Sequence, residues 1–289
     1  MVTLQRATVA DLTALLRCVE DGSLELLYQP EVELDSGALV AMEGLLRWHH
    51  GDLGVLAPPS FLDLAETSGH FGPIGLWVLG EGAREARRWS TLPGPQRRLW
   101  LNLSASQLAS PELPRVVAEV LADNGLGEGA LGLEVSEQTV LGFGDRAHSL
   151  LQDLRATGVA LAVDDFSTWI ATLGVIADLP IDVVKLGQLY VRAVGEDVVG
   201  ESDLDAMTET LIDQAHDRGM LVVAEGVETW AEAARLTELG CDRAHGWLFA
   251  SAQRADRARS LLSRGNGWRT GLVPAASEVS PFLPSPRGS

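Results

Sequence analysis

Six polar residues in this sequence each follow directly after a short apolar run, and they recur along most of the chain. They are Glu43, Asn102, Glu134, Asp164, Lys185 and Glu225. Carboxylate and amide oxygens are the ligands that hard divalent cations prefer in proteins. If the carboxylates meet at one place, they repel one another unless cations lie among them. The pattern therefore predicts a divalent-metal site.

Asp165 directly follows Asp164, and this pair indicates which metals and which chemistry fit the site. Oxygen ligands without cysteine suit Mg²⁺ or Mn²⁺ better than zinc or copper. An Asp-Asp pair can bridge and flank two ions about 3.5–4 Å apart, an arrangement used for in-line phosphoryl displacement. Lys185 would then neutralise a phosphate oxygen or orient the attacking water.

The spacing of the apolar runs predicts the fold that positions these residues. Several intervals are roughly thirty residues, the length of one βα unit in a barrel of about 250 residues. Short apolar runs separated by helical patterns are typical of parallel strands joined by crossover helices. Residues at the carboxyl ends of such strands converge on one face. The sequence therefore predicts an α/β fold, a TIM-like (β/α)8 barrel with its site on that face.

The first strands depart from this regular pattern. Residues 24–34 are predicted to form a strand, and Ser36-Gly37 is a turn into the strand that ends at Glu43. This order is typical of a hairpin, so the first barrel strand is expected to run antiparallel. An amphipathic helix over residues 9–19 precedes the hairpin, within a helical lead-in over residues 1–22.

The remaining helical patterns supply the crossover connections and set the domain boundary. Helices are predicted near residues 58–65 and over residues 74–89, 114–121, 145–155, 204–216 and 230–239. The glycines that should end helices are Gly125, Gly158, Gly219 and Gly240. From residue 264 the sequence is rich in Gly, Pro and Ser. Residues 1–263 are therefore assigned to the barrel and residues 264–289 to a disordered tail.

The composition excludes some classes of partner. Asp and Glu outnumber Lys and Arg by 40 to 22, which gives a net charge of −18. Nucleic-acid polymers and anionic lipids bind basic surfaces, so neither is expected as a partner. No apolar run reaches the ~20 residues that span a bilayer, so no membrane insertion is expected. Cys18 and Cys241 match no disulfide or zinc spacing and the N-terminus lacks a secretory pattern, which predicts a cytoplasmic location.

Two other patterns are given structural interpretations. The glycines that match the dinucleotide fingerprint G-x-G-x-x-G are Gly127, Gly129 and Gly132. They precede a predicted strand instead of following one, so a helix-to-strand connection is predicted there. His49-His50 is predicted to lie in a loop on the barrel rim. His245 begins the last apolar run, and taken alone it is predicted to be a structural histidine.

A longer ordered set of segments carries a family resemblance. The segments are Tyr28-Gln29-Pro30, Glu43-Gly44-Leu45-Leu46-Arg47-Trp48, Asn102-Leu103-Ser104, Leu133-Glu134-Val135-Ser136-Glu137, Asp164-Asp165-Phe166, Ala224-Glu225-Gly226-Val227-Glu228-Thr229 and Gly240-Cys241-Asp242. Together they resemble the EAL-domain family, cyclic di-GMP phosphodiesterases with a TIM-like barrel. The resemblance extends over residues 12–252. It implies hydrolysis of one phosphodiester of cyclic di-GMP, which gives linear pGpG.

The resemblance also implies a metal-ligand set. Glu43, Asn102, Glu134 and Asp164 match the family's metal ligands. Asp165 matches a contributor to a second ion. The implied cofactors are two ions of Mg²⁺ or Mn²⁺, and Glu43 is counted among the catalytic residues as well.

The other implied roles concern the reaction and the substrate. Lys185 matches the lysine near the attacking water, and Glu225 matches the acidic site residue that follows it. Gln29 and Arg47 match positions that contact substrate, with Arg47 at a phosphate. Glu137 matches a glutamate that supports the loop after the Asp-Asp pair.

Some positions depart from the family pattern, and six of these departures bear on the site. The family's Ala, Gly, Gly, Asp, Gln and Pro are replaced by Gly44, Ser167, Trp169, Gly187, His245 and Ala252, in that order. Gly187 deletes a carboxylate near the second metal, and His245 removes an amide from the site. The ligands of the first ion are therefore complete, whereas the surroundings of the second ion are altered.

Three functions remain open at this point. The first is a working phosphodiesterase with reduced activity, and the second is a receptor that binds cyclic di-GMP without cleaving it. The third is a protein-interaction module that has lost the ligand. An interaction module has no reason to keep every ligand of the first ion, so the enzyme is favoured. A homodimer, or a sensor or signalling protein as partner, is compatible with the sequence, which fixes neither.

Overall fold

The structure is a computed structural model that describes residues 9–69, 71–166, 176, 178–193 and 202–264. Its strands are β1 (Leu24–Glu33), β2 (Leu39–His50), β3 (Gly54–Leu56), β4 (Arg98–Asn102), β5 (Leu131–Ser136), β6 (Ala160–Phe166), β7 (Val183–Leu186), β8 (Leu221–Glu225) and β9 (Arg243–His245). The described helices are α1 (Val9–Arg17), α2 (Leu62–Thr67), α3 (Phe71–Trp89), α4 (Ala105–Leu108), α5 (Leu113–Asp123), α6 (Glu137–Phe143), α7 (Arg146–Arg155), α8 (Gln188–Ala193), α9 (Ser202–His216), α10 (Trp230–Glu238) and α11 (Ala255–Arg264). A 3₁₀ helix, Pro58–Ser60, precedes α2.

Eight of these strands close into a mixed barrel. Strand β1 pairs antiparallel with both β2 and β9, whereas each pair from β2–β4 to β8–β9 is parallel. Strand β3 lies outside the barrel and extends β2 as a hairpin. The predicted barrel and its antiparallel first strand are confirmed. Gly37, with φ of 67°, makes the turn that reverses β1 into β2.

The predicted crossover helices are present. The one predicted near residues 58–65 is divided into the 3₁₀ helix Pro58–Ser60 and α2, and the ends of the others lie within three residues of the predicted ones. The largest difference is at α3, which begins at Phe71 instead of residue 74. The predicted helix-ending glycines have positive φ angles of 60°, 95°, 74° and 88° at Gly125, Gly158, Gly219 and Gly240. The G-x-G-x-x-G run begins in the connection after α5 and ends at Gly132 inside β5, so the predicted helix-to-strand connection is confirmed.

A single large side chain fills the barrel below the predicted site. Trp100 is fully buried, two residues before the end of β4, among small side chains that include Ala41 and Ala162. A β-carbon at Gly132 would overlap the Trp100 ring, so this position on β5 has room only for glycine. Side chains two residues apart on a strand share a face. Trp100 therefore forms an apolar floor beneath Asn102 and its neighbours.

The prediction that His49-His50 lies in a loop is wrong. Both residues belong to β2, which continues past the barrel because β3 pairs with its end. His49 is exposed and His50 is buried, as strand alternation requires. The His50 ring packs edge-on against Trp48, with 4.9 Å between ring centroids.

Some predictions fall outside the described residues. They concern the departures at Ser167 and Trp169 and the tail from residue 265 onward. Cys18 and Cys241 are both buried free thiols. Among the described residues, no helix combines the length and apolar character that crossing a membrane requires.

Candidate metal centre

The predicted site residues meet at one end of the barrel. Strand register places Asn102 opposite Glu134, and Gln29 opposite Glu43. Lys185 is the next-to-last residue of β7, close to the end of the strand at the site, and its side chain is fully buried. Because the parallel strands point the same way, their carboxyl ends deliver these side chains to one face. The spacing of the apolar runs was therefore sufficient to predict their convergence.

Lys185 is the central cation of this cluster. Its Nζ pairs with Glu134 and lies 3.7 Å from Glu43 Oε2 and 3.5 Å from Glu225 Oε1. Burial alone would lower the pKa of Lys185, but the surrounding carboxylates outweigh burial and raise it well above its ordinary value. The lysine is therefore charged. Because its side chain is completely buried, Lys185 is better placed to hold the carboxylates in position than to contact a phosphate directly.

Asn102 holds one of these carboxylates in place. Its Nδ2 donates a hydrogen bond of 3.0 Å to Glu43 Oε1, while Glu43 Oε2 faces Lys185. Ser104 follows as the N-cap of α4 and accepts a hydrogen bond from the Gln107 backbone N–H, which anchors the chain directly after β4. The two oxygens of Glu43 thus have separate partners.

A bulge in β6 explains how two consecutive aspartates serve one site. Neighbouring residues of a regular strand point to opposite faces. The β6–β7 register shifts between Val163 and Phe166, and Asp165 adopts a φ of 52°. Aspartate tolerates this left-handed conformation better than most residues do. Burial raises the pKa of Asp165, and the charges of Glu225 and Glu43 raise it further.

The cluster contains buried carboxylate oxygens without hydrogen bonds. Glu134 Oε2 and Asp164 Oδ1 have no hydrogen-bond partner among the described residues. Burial raises the pKa of both carboxyls well above the ordinary range, although Lys185 acts in the opposite direction. Unpaired buried carboxylates are costly unless a cation binds them. Their oxygen donors and their excess of negative charge fit a divalent cation of the Mg²⁺ or Mn²⁺ type.

His245, predicted to be structural from its own position but placed at a site glutamine by the family resemblance, lies inside the site. It is opposite Glu225 in the β8–β9 register, and its Nε2 is 3.0 Å from Glu225 Oε1. Burial raises the pKa of Glu225, but the hydrogen bond with His245 and the charge of Lys185 outweigh it and lower that pKa to about 2. Burial would lower the pKa of His245, but Glu225 reverses this and raises it. Strand β9 spans only three residues, so no apolar run before His245 revealed its strand-end position.

The predicted substrate residues line the rim near Glu43. Gln29 is half-buried, and its Nε2 donates a hydrogen bond of 3.4 Å to the Ala250 carbonyl oxygen. Arg47 shares the inward face of β2 with Glu43, four residues farther along the strand. Its Nη1 donates a hydrogen bond of 2.8 Å to the Leu46 carbonyl oxygen. Burial lowers the Arg47 pKa, whereas Glu43 raises it.

The remaining predicted positions flank the Asp-Asp pair. Glu137 is buried at the start of α6, and its charge adds to burial in raising the pKa of Tyr190 on α8. A β-carbon at Gly187 would lie 3.8 Å from Asp165 Oδ1 and 3.7 Å from the Phe166 carbonyl oxygen, which is ordinary contact. The carboxylate that the family pattern carries at position 187 would therefore have room beside Asp165.

Comparison with known proteins gives consistent results across sequence and structure. The family model described as EAL domain matches residues 12–252. An uncharacterized protein of Mycobacterium tuberculosis is 36% identical over 245 residues, which are 84% of this chain and 80% of that protein. The bifunctional diguanylate cyclase/cyclic di-GMP phosphodiesterase MucR of Pseudomonas aeruginosa is 34% identical over 243 residues. That match covers 84% of this chain but only 35% of MucR, so the chain spans about a third of it.

Solved structures of similar chains share the fold. The PaMucR phosphodiesterase in complex with c-di-GMP superposes with a TM-score of 0.79 at 34% identity, covering 86% of this chain and 98% of the other. The EAL domain of Mycobacterium smegmatis DcpA superposes with a TM-score of 0.67 at 28% identity, covering 84% of this chain and 97% of the other.

Proposed function

The chain belongs to the EAL-domain family, and we propose that it is a metal-dependent phosphodiesterase that hydrolyses cyclic di-GMP to linear pGpG. The observation that carries the proposal is a set of buried carboxylate oxygens that lack partners among the described residues, on residues that match the family's ligands of the first ion. A site that served only to dock another protein would gain nothing from buried, unpaired carboxylates.

Each residue has a task in the proposed reaction. Glu43, Asn102, Glu134 and Asp164 would hold the first divalent ion, and Asp165 would contribute to the second. Bound divalent ions would stabilise charge on the phosphate and make the attacking water more acidic.

The remaining residues act on the substrate or on the ligands. Arg47 and Gln29 would bind and orient the cyclic dinucleotide, with the Arg47 guanidinium on a phosphate. Lys185 would hold Glu134, Glu43 and Glu225 in place through its positive charge and fix the geometry around the attacking water. Glu225, with its low pKa, would be the carboxylate that stays ionised and accepts a hydrogen bond from that water.

Incubation with cyclic di-GMP and either Mg²⁺ or Mn²⁺, followed by separation of the nucleotides, tests the proposal directly. We expect pGpG to accumulate with metal and not with EDTA. Calcium should bind but support turnover poorly, because its longer bonds and looser coordination change the spacing of the ligands. Absence of pGpG at every metal concentration would contradict the enzymatic proposal.

Gly187 favours a second candidate function, a receptor that binds cyclic di-GMP without cleaving it. A missing carboxylate beside Asp165 weakens the placement of the second ion or of water. That interaction matters most once the transition state forms, so its loss reduces the rate more than the affinity.

Restoring this carboxylate separates the two functions. Gly187→Asp is expected to raise turnover about tenfold, because recovering ~1.4 kcal/mol of transition-state stabilisation gives that factor. A β-carbon at this position would lie 3.8 Å from Asp165 Oδ1, which leaves room for the side chain. Gly187→Asn is the matched control, with the same shape and no charge, and steady-state rates of pGpG formation are the measurement. Equal rates for wild type and Gly187→Asp would contradict this account of the second ion.

Arg47 is expected to contribute to ligand binding in either function. Arg47→Ala should weaken binding of cyclic di-GMP by about 1–3 kcal/mol, the loss typical of a charge-assisted hydrogen bond. Arg47→Lys keeps the charge but not the planar fork, so its affinity should lie between the two. Calorimetry in Ca²⁺ measures binding with little turnover. If wild type shows no binding at high micromolar nucleotide, the enzyme and receptor proposals both fail and an interaction module is favoured.

A further inference from the structure

His245 and two glutamates present three donor atoms to a common point. His245 Nε2 lies 3.0 Å from Glu225 Oε1 and 3.7 Å from Glu43 Oε2. One donor atom from each of the three residues lies within 4.8 Å of the others. Two donors that each bind one ion at 2.0–2.2 Å are separated by at most about 4.4 Å. The two measured His245 distances already satisfy that limit.

The position of Lys185 indicates that positive charge is favourable at the same point. Its Nζ approaches the same two oxygens as the histidine does, Glu43 Oε2 and Glu225 Oε1. These two oxygens therefore lie between Lys185 Nζ and His245 Nε2 and do not point into bulk solvent. Glu134, which is 1% exposed and pairs with Lys185, still leaves its Oε2 without a hydrogen bond among the described residues. The cluster thus has more negative charge than its own side chains neutralise.

The environment of His245 differs from that of a structural histidine. The side chain is nine-tenths buried, yet its Nδ1 has no hydrogen-bond partner among the described residues. Buried polar side chains whose role is structural usually have partners for their polar atoms. Within the described part of the chain, the polar contacts of the ring are made through Nε2, to the carboxylates themselves. This arrangement is expected for a side chain whose partner is an ion between Glu43 and Glu225.

We propose that His245 is a metal ligand through Nε2, together with Glu43 and Glu225, so that this site combines nitrogen and oxygen donors. Imidazole binds the later first-row transition metals well, whereas Mg²⁺ prefers oxygen ligands alone. The site therefore favours Co²⁺, Ni²⁺ or Zn²⁺ over Mg²⁺ more strongly than an all-oxygen site does. The inference rests on the proposed metal site but not on hydrolysis.

Pulsed EPR of bound Mn²⁺ tests ligation without reference to activity. Wild type is expected to show a ¹⁴N hyperfine coupling from a directly bound imidazole, and His245→Gln is expected to lose it. Growth with ¹⁵N-histidine should convert the coupling to a ¹⁵N pattern in the unmutated protein, which removes any dependence on the folding of the variant. His148→Gln, an exposed histidine on α7, is the matched control and should keep the coupling.

Calorimetry with Co²⁺ and Mg²⁺ gives the second measurement. His245→Gln is expected to lower Co²⁺ affinity by about tenfold or more and to leave Mg²⁺ affinity within about twofold. Mn²⁺ that binds wild type without a histidine coupling would overturn the inference and leave the oxygen site intact. A coupling that survives in His245→Gln would overturn it in the same way. If neither Mn²⁺ nor Co²⁺ binds wild type, the inference and the proposed metal site both fail, whatever the nucleotide assays show.

Discussion

Replacing Glu43 by Gln and Asp164 by Asn is expected to abolish Mn²⁺ binding and to lower turnover at least about a thousandfold, equivalent to ~4 kcal/mol. Both substitutions keep the shape of the side chain and remove its charge. The loss follows because neutral amides are weak ligands and the remaining carboxylates already share Lys185. Removing two negative charges also relieves repulsion in the metal-free site, so the variant should be no less stable than wild type.

Three measurements together test this prediction. Calorimetry reports Mn²⁺ binding, nucleotide separation reports turnover, and urea unfolding in EDTA reports stability. Glu112→Gln with Glu119→Gln is the matched control, because it also removes two carboxylates, on the exposed surface of the α5 region, where charge pairs contribute little. If the site variant binds Mn²⁺ as tightly as this control does, these residues are not the metal ligands.

The barrel could be predicted because most of its strands leave a local signal in the sequence. Apolar runs such as residues 99–101 are each followed directly by a polar residue. The helices between them show apolar residues at helical spacing, and several are followed by a glycine. Closure by β1 followed from the Ser36-Gly37 turn. The end of β2 could not be predicted, because pairing with β3 extends it past Trp48 to His50. Strand length there depends on a partner strand, and not on local sequence.

Site residues could be predicted from sequence patterns only where a charged or polar residue directly follows the apolar run of a strand. Glu134 and Lys185 follow apolar runs, but that their side chains pair in full burial is a consequence of barrel closure. The register shift around Asp165 and its positive φ break the regular alternation of side chains on which a sequence prediction depends. His245 ends a strand too short to give a pattern of its own. Sequence patterns therefore predicted the candidate oxygen ligands, whereas only the family resemblance placed His245 near them, and its contact with Glu225 required the structure.

Lys185→Met is expected to destabilise the metal-free protein by about 3 kcal/mol, because removing one member of a buried ion pair leaves its partners uncompensated. Methionine fills a similar volume, so packing around Trp100 and the strand ends should change little. Glu134 limits the cost by binding a proton, the usual response of an isolated buried carboxyl. Urea unfolding of wild type and variant in EDTA measures the difference.

Adding Mn²⁺ distinguishes an electrostatic loss from a packing defect. A divalent cation replaces the charge that Lys185 supplied, so Mn²⁺ should stabilise Lys185→Met by more than it stabilises wild type. The double variant Lys185→Met with Glu134→Gln is the control, because removing both partners of a buried pair costs much less than removing one. An equal loss with and without Mn²⁺, or no recovery in the double variant, would mean that Lys185 contributes through its shape. If Mn²⁺ restores stability to Lys185→Met and the double variant is also more stable than Lys185→Met, then Lys185 and the metal neutralise the same carboxylates. The lysine would then stabilise the folded barrel whenever the ion is absent.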